Sequence, residues 1–160
     1  MKNSEESVTK KEIIITLNKK AFHEYEILQK YEAGIMLLGT EIKSLRVHSA
    51  NISDAYARIK KGELWLINSN IPAYKFGNLN NHAPLRERKL LLHKAELKKI
   101  DTKLKDKGLT LIPLKLYLFG AKAKIEIGIG KGKKSFDKRE AIKKADVQRQ
   151  LKRVKDYKNN

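Results

Sequence analysis

The sequence predicts a mainly β protein, a small closed antiparallel β-barrel with two or three short helices and a basic C-terminal tail. Three observations favour this fold class. Residues 121–129 alternate apolar and polar side chains, which is the period of a half-buried antiparallel strand. Residues 56–59 and 64–67 flank a Lys-Gly pair that is typical of a hairpin turn. Residues 131–160 hold 12 Lys and Arg against 4 Asp and Glu, a denser positive charge than the rest of the chain carries.

Other strands follow from similar patterns. Short runs of apolar residues predict strands at residues 13–17, 25–28 and 35–38. Residues 109–111 are out of phase by one position with residues 114–118, and a proline lies in the gap. A β-bulge at this proline would absorb both the slip and its missing N–H group.

Two helices interrupt the strands. Residues 41–48 follow Thr40, which can cap a helix, and Glu41 suits the positive end of the helix dipole. Residues 93–107 place apolar side chains on one face and end before Gly108. Many short strands with few helices indicate a barrel of OB type, a fold that often binds nucleic acid.

The chain divides into three parts. Residues 1–12 are polar and predict a flexible N-terminal arm, residues 13–130 form the barrel, and residues 131–160 form the basic tail. A D-x-x-E box in the tail predicts a helix start, but the apolar stripe that follows is too thin to offset the entropy of ordering the helix. We expect a tail that is disordered when free and helical when bound; a helix docked on the barrel is the alternative.

Composition restricts the function. The 160 residues carry a net charge of +18, and nucleic acid is the usual partner of such a surplus because its binding releases counterions. Cysteine is absent and the 4 histidines lack the spacing of metal ligands, so we expect no metal and no cofactor. No apolar run is long enough to span a membrane. We expect a monomeric, cytoplasmic RNA-binding protein without enzymatic activity.

A basic junction before the tail is a candidate RNA contact. Residues 128–135 look like a phosphate-binding loop, but Lys133 stands where that motif requires glycine. A junction in which Lys131, Lys133 and Lys134 contact an RNA backbone is the better interpretation, and a solvated linker is the alternative. Phe136 lies among these cations and can stack on a base.

Two further candidates lie in the body. Lys43 and Arg46 are one helical turn apart and can present two phosphate ligands, although such a pair more often marks a solvated face. Glu32 would be repelled by phosphate, so we expect it to organise nearby donors or to accept from a base edge.

Five segments occur together in an order and spacing that resemble one family. They are GTEIKSLR at Gly39–Arg46, ANISDAY at 50–56, RKLLLH at 88–93, GLTLIPLKLY at 108–117 and KGKKSFDKRE at 131–140. On these motifs the chain resembles the SmpB family of SsrA-binding proteins, from about Asn18 to the tail helix.

This resemblance implies an OB-like barrel that binds the tRNA-like domain of transfer-messenger RNA (tmRNA). In this family the complex enters ribosomes stalled on messages without a stop codon, and the protein fills the space of an anticodon arm. The tail reaches the decoding centre and forms a helix in the empty message channel. The protein is then an adaptor in trans-translation, because peptide transfer belongs to the ribosome.

The resemblance also implies particular site residues. The RNA-binding positions of the barrel fall on Asn18, Glu32, Leu91 and Lys124, beside the segment that holds Thr40, Glu41, Lys43 and Arg46. The ribosome-binding positions of the tail fall on Lys131, Gly132, Lys133, Lys134, Phe136, Asp137, Lys138 and Arg139. The chain departs from the family at Phe136, where histidine is common, and at Val147, where the tail helix often has tryptophan.

Other function classes remain open at this stage. A ribosomal or ribosome-assembly protein that binds ribosomal RNA is the main alternative, since charge and fold serve it equally well. A nuclease or nucleotide hydrolase is a second alternative. A membrane-active basic helix at the C-terminus is a third, for which three apolar positions give little support.

Overall fold

The computed structural model describes residues 11–47, 49–77, 79–133 and 135–158, which form seven strands and four helices. The strands are β1 (Glu12–Leu17), β2 (Tyr25–Ile35), β3 (Tyr56–Lys60), β4 (Glu63–Ile67), β5 (Arg88–Leu91), β6 (Leu109–Phe119) and β7 (Lys122–Gly132). The helices are α1 (Lys19–Glu24), α2 (Gly39–Arg46), α3 (Lys94–Leu104) and α4 (Ser135–Lys158). The predicted mainly β character is confirmed, with one helix more than the sequence predicts.

All seven strands belong to one antiparallel sheet in the order β1-β6-β3-β4-β5-β2-β7. Because β6 also pairs with β7, six strands close into a ring. β1 lies outside this ring and pairs with the C-terminal part of β6. The ring is uneven. β7 pairs along most of β2 and β6, whereas among the described residues β3 and β6 share the single pair Ala57–Leu111.

One apolar core connects the strands with two of the helices. Ile125, Ile127 and Ile129 of β7 are fully buried, which confirms the alternation predicted for this strand. They belong to the same cluster as Leu45 of α2 and Ile100 of α3. Burial of such side chains contributes about 1.5–3 kcal/mol each, so the core fixes both helices against the sheet.

The predicted bulge at Pro113 is present in β6. Pro113 and Lys115 pair with successive residues of β7, so Leu114 is the extra residue. Leu114 is fully buried in a second, smaller cluster with Ala21 of α1. The carbonyl groups of Pro113 and Leu114 each accept a hydrogen bond from Asn18 at 2.8 Å. The bulge therefore positions the start of α1.

The predicted hairpin between β3 and β4 is also confirmed. Lys60 pairs with Glu63, which leaves Lys61 and Gly62 as a two-residue turn. Their φ angles are 50° and 73°. Positive φ at both positions is the mark of a type I′ turn, which matches the twist of the flanking strands.

The N-terminal half differs from the prediction in two ways. β2 is one strand from Tyr25 to Ile35, so the two separate strands predicted at residues 25–28 and 35–38 are wrong. The polar residues between them occupy the outer face of a long strand. The sequence does not predict α1, because this six-residue helix buries only Ala21 among its side chains and has no apolar periodicity.

The start of α2 corrects a second expectation. The helix begins at Gly39, with Leu38 as its N-cap residue, so Thr40 lies inside the helix and does not cap it. The Glu41 carboxylate accepts instead from the Leu38 N–H at 3.2 Å. Glu41 therefore accepts a hydrogen bond at the start of the helix, which agrees with its predicted place near the positive end of the helix dipole.

The predicted boundary at residue 131 falls inside β7. Lys131 and Gly132 pair with Glu26 and Tyr25 of β2, and the Lys133 N–H donates to the Glu24 carbonyl at 2.9 Å. α4 then runs for 24 residues. Of the predicted N-terminal arm, residues 1–10 lie outside the described residues and Glu12 begins β1. Within the described ranges, no helix is long and apolar enough to cross a membrane.

Candidate RNA interface

Three neighbouring strands form the floor of a surface concavity. Gly34 of β2 pairs with Leu91 of β5 on one side and with Lys124 of β7 on the other. Glu32 lies two residues before Gly34 and therefore shares its face of the sheet. The concavity has a volume of about 330 Å³. The register thus brings together Glu32, Leu91 and Lys124, three of the residues that the sequence predicts for RNA binding.

Glu32 is the residue that connects the polar groups of this concavity. Its carboxylate accepts hydrogen bonds from the Lys124 ammonium at 2.6 Å and from the Tyr117 hydroxyl. Lys124 and then Tyr117 hold the pKa of Glu32 below its usual value. Burial and the bond to Glu32 raise the pKa of Tyr117, so its hydroxyl stays a neutral donor. This geometry suits a residue that fixes the positions of neighbouring donors.

The concavity offers apolar surface beside this charge. Leu91 is half exposed, and the Lys124 ammonium lies 5.0 Å from the centre of the Phe119 ring. A base can rest on an apolar side chain while a nearby ammonium contacts its phosphate. The arrangement is therefore chemically suited to RNA.

Asn18 is buried, and its side chain is used within the protein. Its Nδ2 group donates to the carbonyl oxygens of Ile52 at 3.3 Å and Pro113 at 2.8 Å. Its Oδ1 atom accepts from the Ala21 N–H at 3.1 Å, which caps α1. The amide is thus committed to protein contacts, and any effect of Asn18 on RNA binding would act through the position of α1.

Glu41 lies in a buried ion-pair cluster. Its carboxylate is fully buried and accepts from Arg86 Nε at 2.8 Å and Arg86 Nη2 at 3.0 Å, while Arg88 Nε lies 3.3 Å away. Burial opposes ionisation of Glu41, but Arg86 and Arg88 outweigh it and hold the pKa of Glu41 below its usual value. Glu41 therefore lies beneath the surface that α2 presents and anchors the helix to the segment before β5.

The inner face of α2 also holds the loop between β4 and β5. Thr40 Oγ1 lies 2.8 Å from His82 Nδ1, and His82 Nε2 lies 2.8 Å from the Ile71 carbonyl. Because a carbonyl only accepts, His82 Nε2 donates to the Ile71 carbonyl, and His82 Nδ1 shares the other hydrogen bond with the Thr40 hydroxyl. The Ser44 hydroxyl donates to the Pro72 carbonyl at 2.6 Å. Thr40 and Ser44 are thus anchors for this loop.

The outer face of α2 presents the two cations of the motif. Lys43 and Arg46 are both exposed and lie one helical turn apart, as predicted. The Lys43 ammonium lies 5.7 Å from the centre of the Tyr74 ring. The GTEIKSLR segment therefore has two faces, one that binds the protein and one that is open to a partner.

The predicted tail residues follow β7 into α4. Lys131 and Gly132 end the strand, and the Lys133 ammonium donates to the Phe22 carbonyl at 3.1 Å. Arg139 is exposed on α4. The remaining residues of this set lie in or just before the first turns of α4, where side chains fall outside the described part of the structure: Lys134, Phe136, Asp137 and Lys138.

Some residues that shape the site were outside the sequence prediction. Arg86, Arg88, His82 and Tyr117 position the predicted residues through the contacts above. Arg88 and Tyr117 belong to the RKLLLH and GLTLIPLKLY motifs, but nothing in their spacing indicates a role. Sequence in particular does not predict a fully buried arginine, because arginine side chains are mostly exposed in proteins. Within the described ranges, no three potential metal ligands cluster closely enough to hold an ion.

Comparison with known proteins identifies the family of the chain. The sequence profile described as SmpB protein matches residues 15–157. The SsrA-binding protein of Dehalococcoides mccartyi strain 195 is 52% identical over 147 residues, which cover 92% of this chain and 86% of that protein. The SsrA-binding protein of Carboxydothermus hydrogenoformans is 54% identical over 143 residues, covering 89% and 96% of the two chains.

A solved structure is similar as well. A chain described under "tmRNA-SmpB: a journey to the center of the bacterial ribosome" superposes with a TM-score of 0.65 at 47% sequence identity. The match covers 79% of this chain and 93% of that chain.

Proposed function

The chain belongs to the SmpB family, and on that premise we propose that it is an RNA-binding adaptor of trans-translation. It binds the tRNA-like domain of tmRNA and delivers it to stalled ribosomes. Its relatives are named SsrA-binding proteins, and the similar solved chain is described with tmRNA and the ribosome.

The observation that carries this proposal is the concavity formed by Glu32, Leu91 and Lys124. A carboxylate held by two donors, a half-exposed leucine and an ammonium lie on three adjacent strands. These groups suit a folded RNA better than a small substrate, because the site is shallow and open and combines a phosphate ligand with apolar surface.

We propose further that the strand ring is a barrel of OB type. The closure of β6 onto β7, the buried alternating side chains and the helices packed against the core support this interpretation. In this proposal the body positions RNA and performs no covalent chemistry, and peptide transfer belongs to the ribosome. A ribosomal partner also assigns the protein to the cytoplasm.

The tail has a separate role in the proposal. α4 carries apolar side chains that are about half exposed or more, including Val147, Leu151 and Val154. A basic helix with an open apolar stripe is suited to fold against ribosomal RNA, and we assign it to the decoding centre and the empty message channel. Its ribosome-binding residues are those predicted between Lys131 and Arg139.

The test is a binding competition with the full chain. The tRNA-like domain of tmRNA and an ordinary tRNA of equal length are titrated separately at physiological salt. We expect clear preference for the tRNA-like domain, because the proposed site recognises shape and unpaired bases in addition to charge. Equal binding with the same steep salt dependence would indicate a generic polycation and overturn the proposal.

A further inference from the structure

Among the described residues, most lysines of the sheet strands are ion-paired, whereas the exposed cations around α2 are not. Five lysines of the sheet strands lie within 4.0 Å of a carboxylate: Lys30, Lys60, Lys89, Lys115 and Lys124. In contrast, Lys43, Arg46 and Lys75 make no such ion pair with any residue in the described ranges. A cation whose charge is not already compensated attracts phosphate more strongly than a paired one.

Two of these cations lie over aromatic rings of the loop between β4 and β5. The Lys43 ammonium is 5.7 Å from the centre of the Tyr74 ring, and the Lys75 ammonium is 5.8 Å from the centre of the Phe76 ring. The two rings pack edge to face, with centres 5.8 Å apart and planes at 71°. Phe76 remains 76% exposed, so most of this ring is open to a partner.

The loop that carries these rings is held in place. Asn81 Nδ2 donates to the Tyr74 carbonyl at 2.8 Å, and the Tyr74 N–H donates to Asn81 Oδ1 at 3.3 Å. The Gly77 N–H donates to the same carbonyl at 2.9 Å. A Cβ on Gly77 would lie 2.4 Å from Asn81 Nδ2, so a larger residue there would displace the Asn81 amide that holds the turn. Order in the free protein lowers the entropy cost of binding.

We propose that this loop and α2 form a base-stacking platform for the tRNA-like domain. An unpaired base stacks on Phe76, supported by Tyr74, while adjacent phosphates contact Lys43, Arg46 and Lys75. Aromatic faces beside uncompensated cations are the combination that binds unpaired RNA. The platform shares no residue with the concavity of Glu32, Leu91 and Lys124. The inference rests on the proposed function and adds a second RNA subsite to the body.

Fluorescence tests the stacking directly. The chain has one tryptophan, Trp65, so Trp65→Phe gives a silent background into which Phe76→Trp is introduced. Titration with the isolated tRNA-like domain at physiological salt should quench Trp emission at position 76, because a stacked base quenches an indole. Tyr157→Trp in the same background is the matched control, since Tyr157 is also an exposed aromatic residue but lies on α4, and we expect no quenching there.

Affinity gives an independent readout with labelled RNA. Phe76→Ala should weaken binding roughly 5- to 150-fold, the range that one base stack contributes. Phe76→Tyr should bind as tightly as the unsubstituted chain, and Tyr157→Ala should leave the affinity unchanged. Circular dichroism of each variant checks that the fold is retained.

The outcomes separate this inference from the proposed function. Tight binding of the tRNA-like domain without quenching at position 76, and without loss in Phe76→Ala, overturns the platform alone. Quenching that occurs only with ribosomal subunits, or only with a protein partner, also overturns it. No preference of the unsubstituted chain for the tRNA-like domain overturns both.

Discussion

At the scale of single residues, the fully buried Glu41 carboxylate compensates the charge of a fully buried arginine. Replacing it with glutamine removes the counter-charge of Arg88, which is itself fully buried. We expect Glu41→Gln to lower the free energy of unfolding by about 3–5 kcal/mol, the usual cost of leaving one member of a buried pair uncompensated. Urea denaturation measures this loss.

Asp54→Asn is the matched control for that variant. It removes a surface carboxylate that lies 3.1 Å from the Lys20 ammonium, with both side chains more than half exposed. We expect a loss below about 1 kcal/mol, because solvent screens an exposed pair. If Glu41→Gln cost no more than Asp54→Asn, the buried cluster would not be the anchor of α2.

Lys124 tests the concavity at the same scale. If its ammonium contacts one RNA phosphate, Lys124→Ala weakens binding and makes the plot of log K against log salt shallower by about 0.7–0.9. Lys60→Ala is the control, because Lys60 pairs with Glu87 at 2.7 Å much as Lys124 pairs with Glu32. An unchanged slope for Lys124→Ala, or an equal change for Lys60→Ala, would exclude this phosphate contact.

At the scale of elements, local chemistry explains which parts of the fold the sequence predicts. The predicted β3–β4 turn and Pro113 bulge are correct because glycine permits a positive φ and proline lacks an N–H group, and both effects are local to the residue. α1 is absent from the prediction because its cap depends on Asn18 and the Pro113 carbonyl, which are 95 residues apart in sequence. The length of β2 likewise depends on pairing with β7 and is not visible in its own residues.

The same distinction applies to the candidate site. Resemblance to a family predicts an RNA-binding role for Glu32, Leu91 and Lys124, and strand register explains how the three residues meet. Sequence does not distinguish the inner face of α2 from its outer face, so the resemblance places both Glu41 and Lys43 in the RNA-binding segment. The structure separates them, because Arg86 and Arg88 bury the first.

The junction between β7 and α4 decides how the tail should be removed. Lys131 and Gly132 belong to β7, and the Lys133 N–H donates to the Glu24 carbonyl, so a deletion of residues 131–160 removes the end of a strand that is paired on both sides. We expect a deletion of residues 134–160 to retain binding of the tRNA-like domain and to abolish tagging on stalled ribosomes. Parallel binding and in vitro tagging assays measure both. Equal loss of the two activities would contradict separate roles for body and tail.

At the scale of the whole molecule, the strands of the ring pair with their neighbours over very different lengths. β7 pairs with both β2 and β6 over most of its length. The β3–β4–β5 unit joins this centre through Ala57–Leu111 on one side and through Gly34–Leu91 and Ile35–Leu90 on the other, among the described residues. A closed ring of this kind need not open everywhere with the same free energy.

Native-state hydrogen exchange of the full chain tests this inequality. We expect amides of β7 such as those of Ile125 and Ile127 to exchange only through global unfolding, because two neighbouring strands must separate first. Amides of β4, such as that of Trp65, should exchange through a smaller opening at lower free energy, because fewer ladder bonds hold that unit to the centre. NMR-detected exchange across a denaturant series distinguishes the two. Equal free energies and equal denaturant slopes for β4 and β7 would instead mean that the ring unfolds as one cooperative unit. In that case the shared core, and not the number of paired residues, would determine how easily each strand opens.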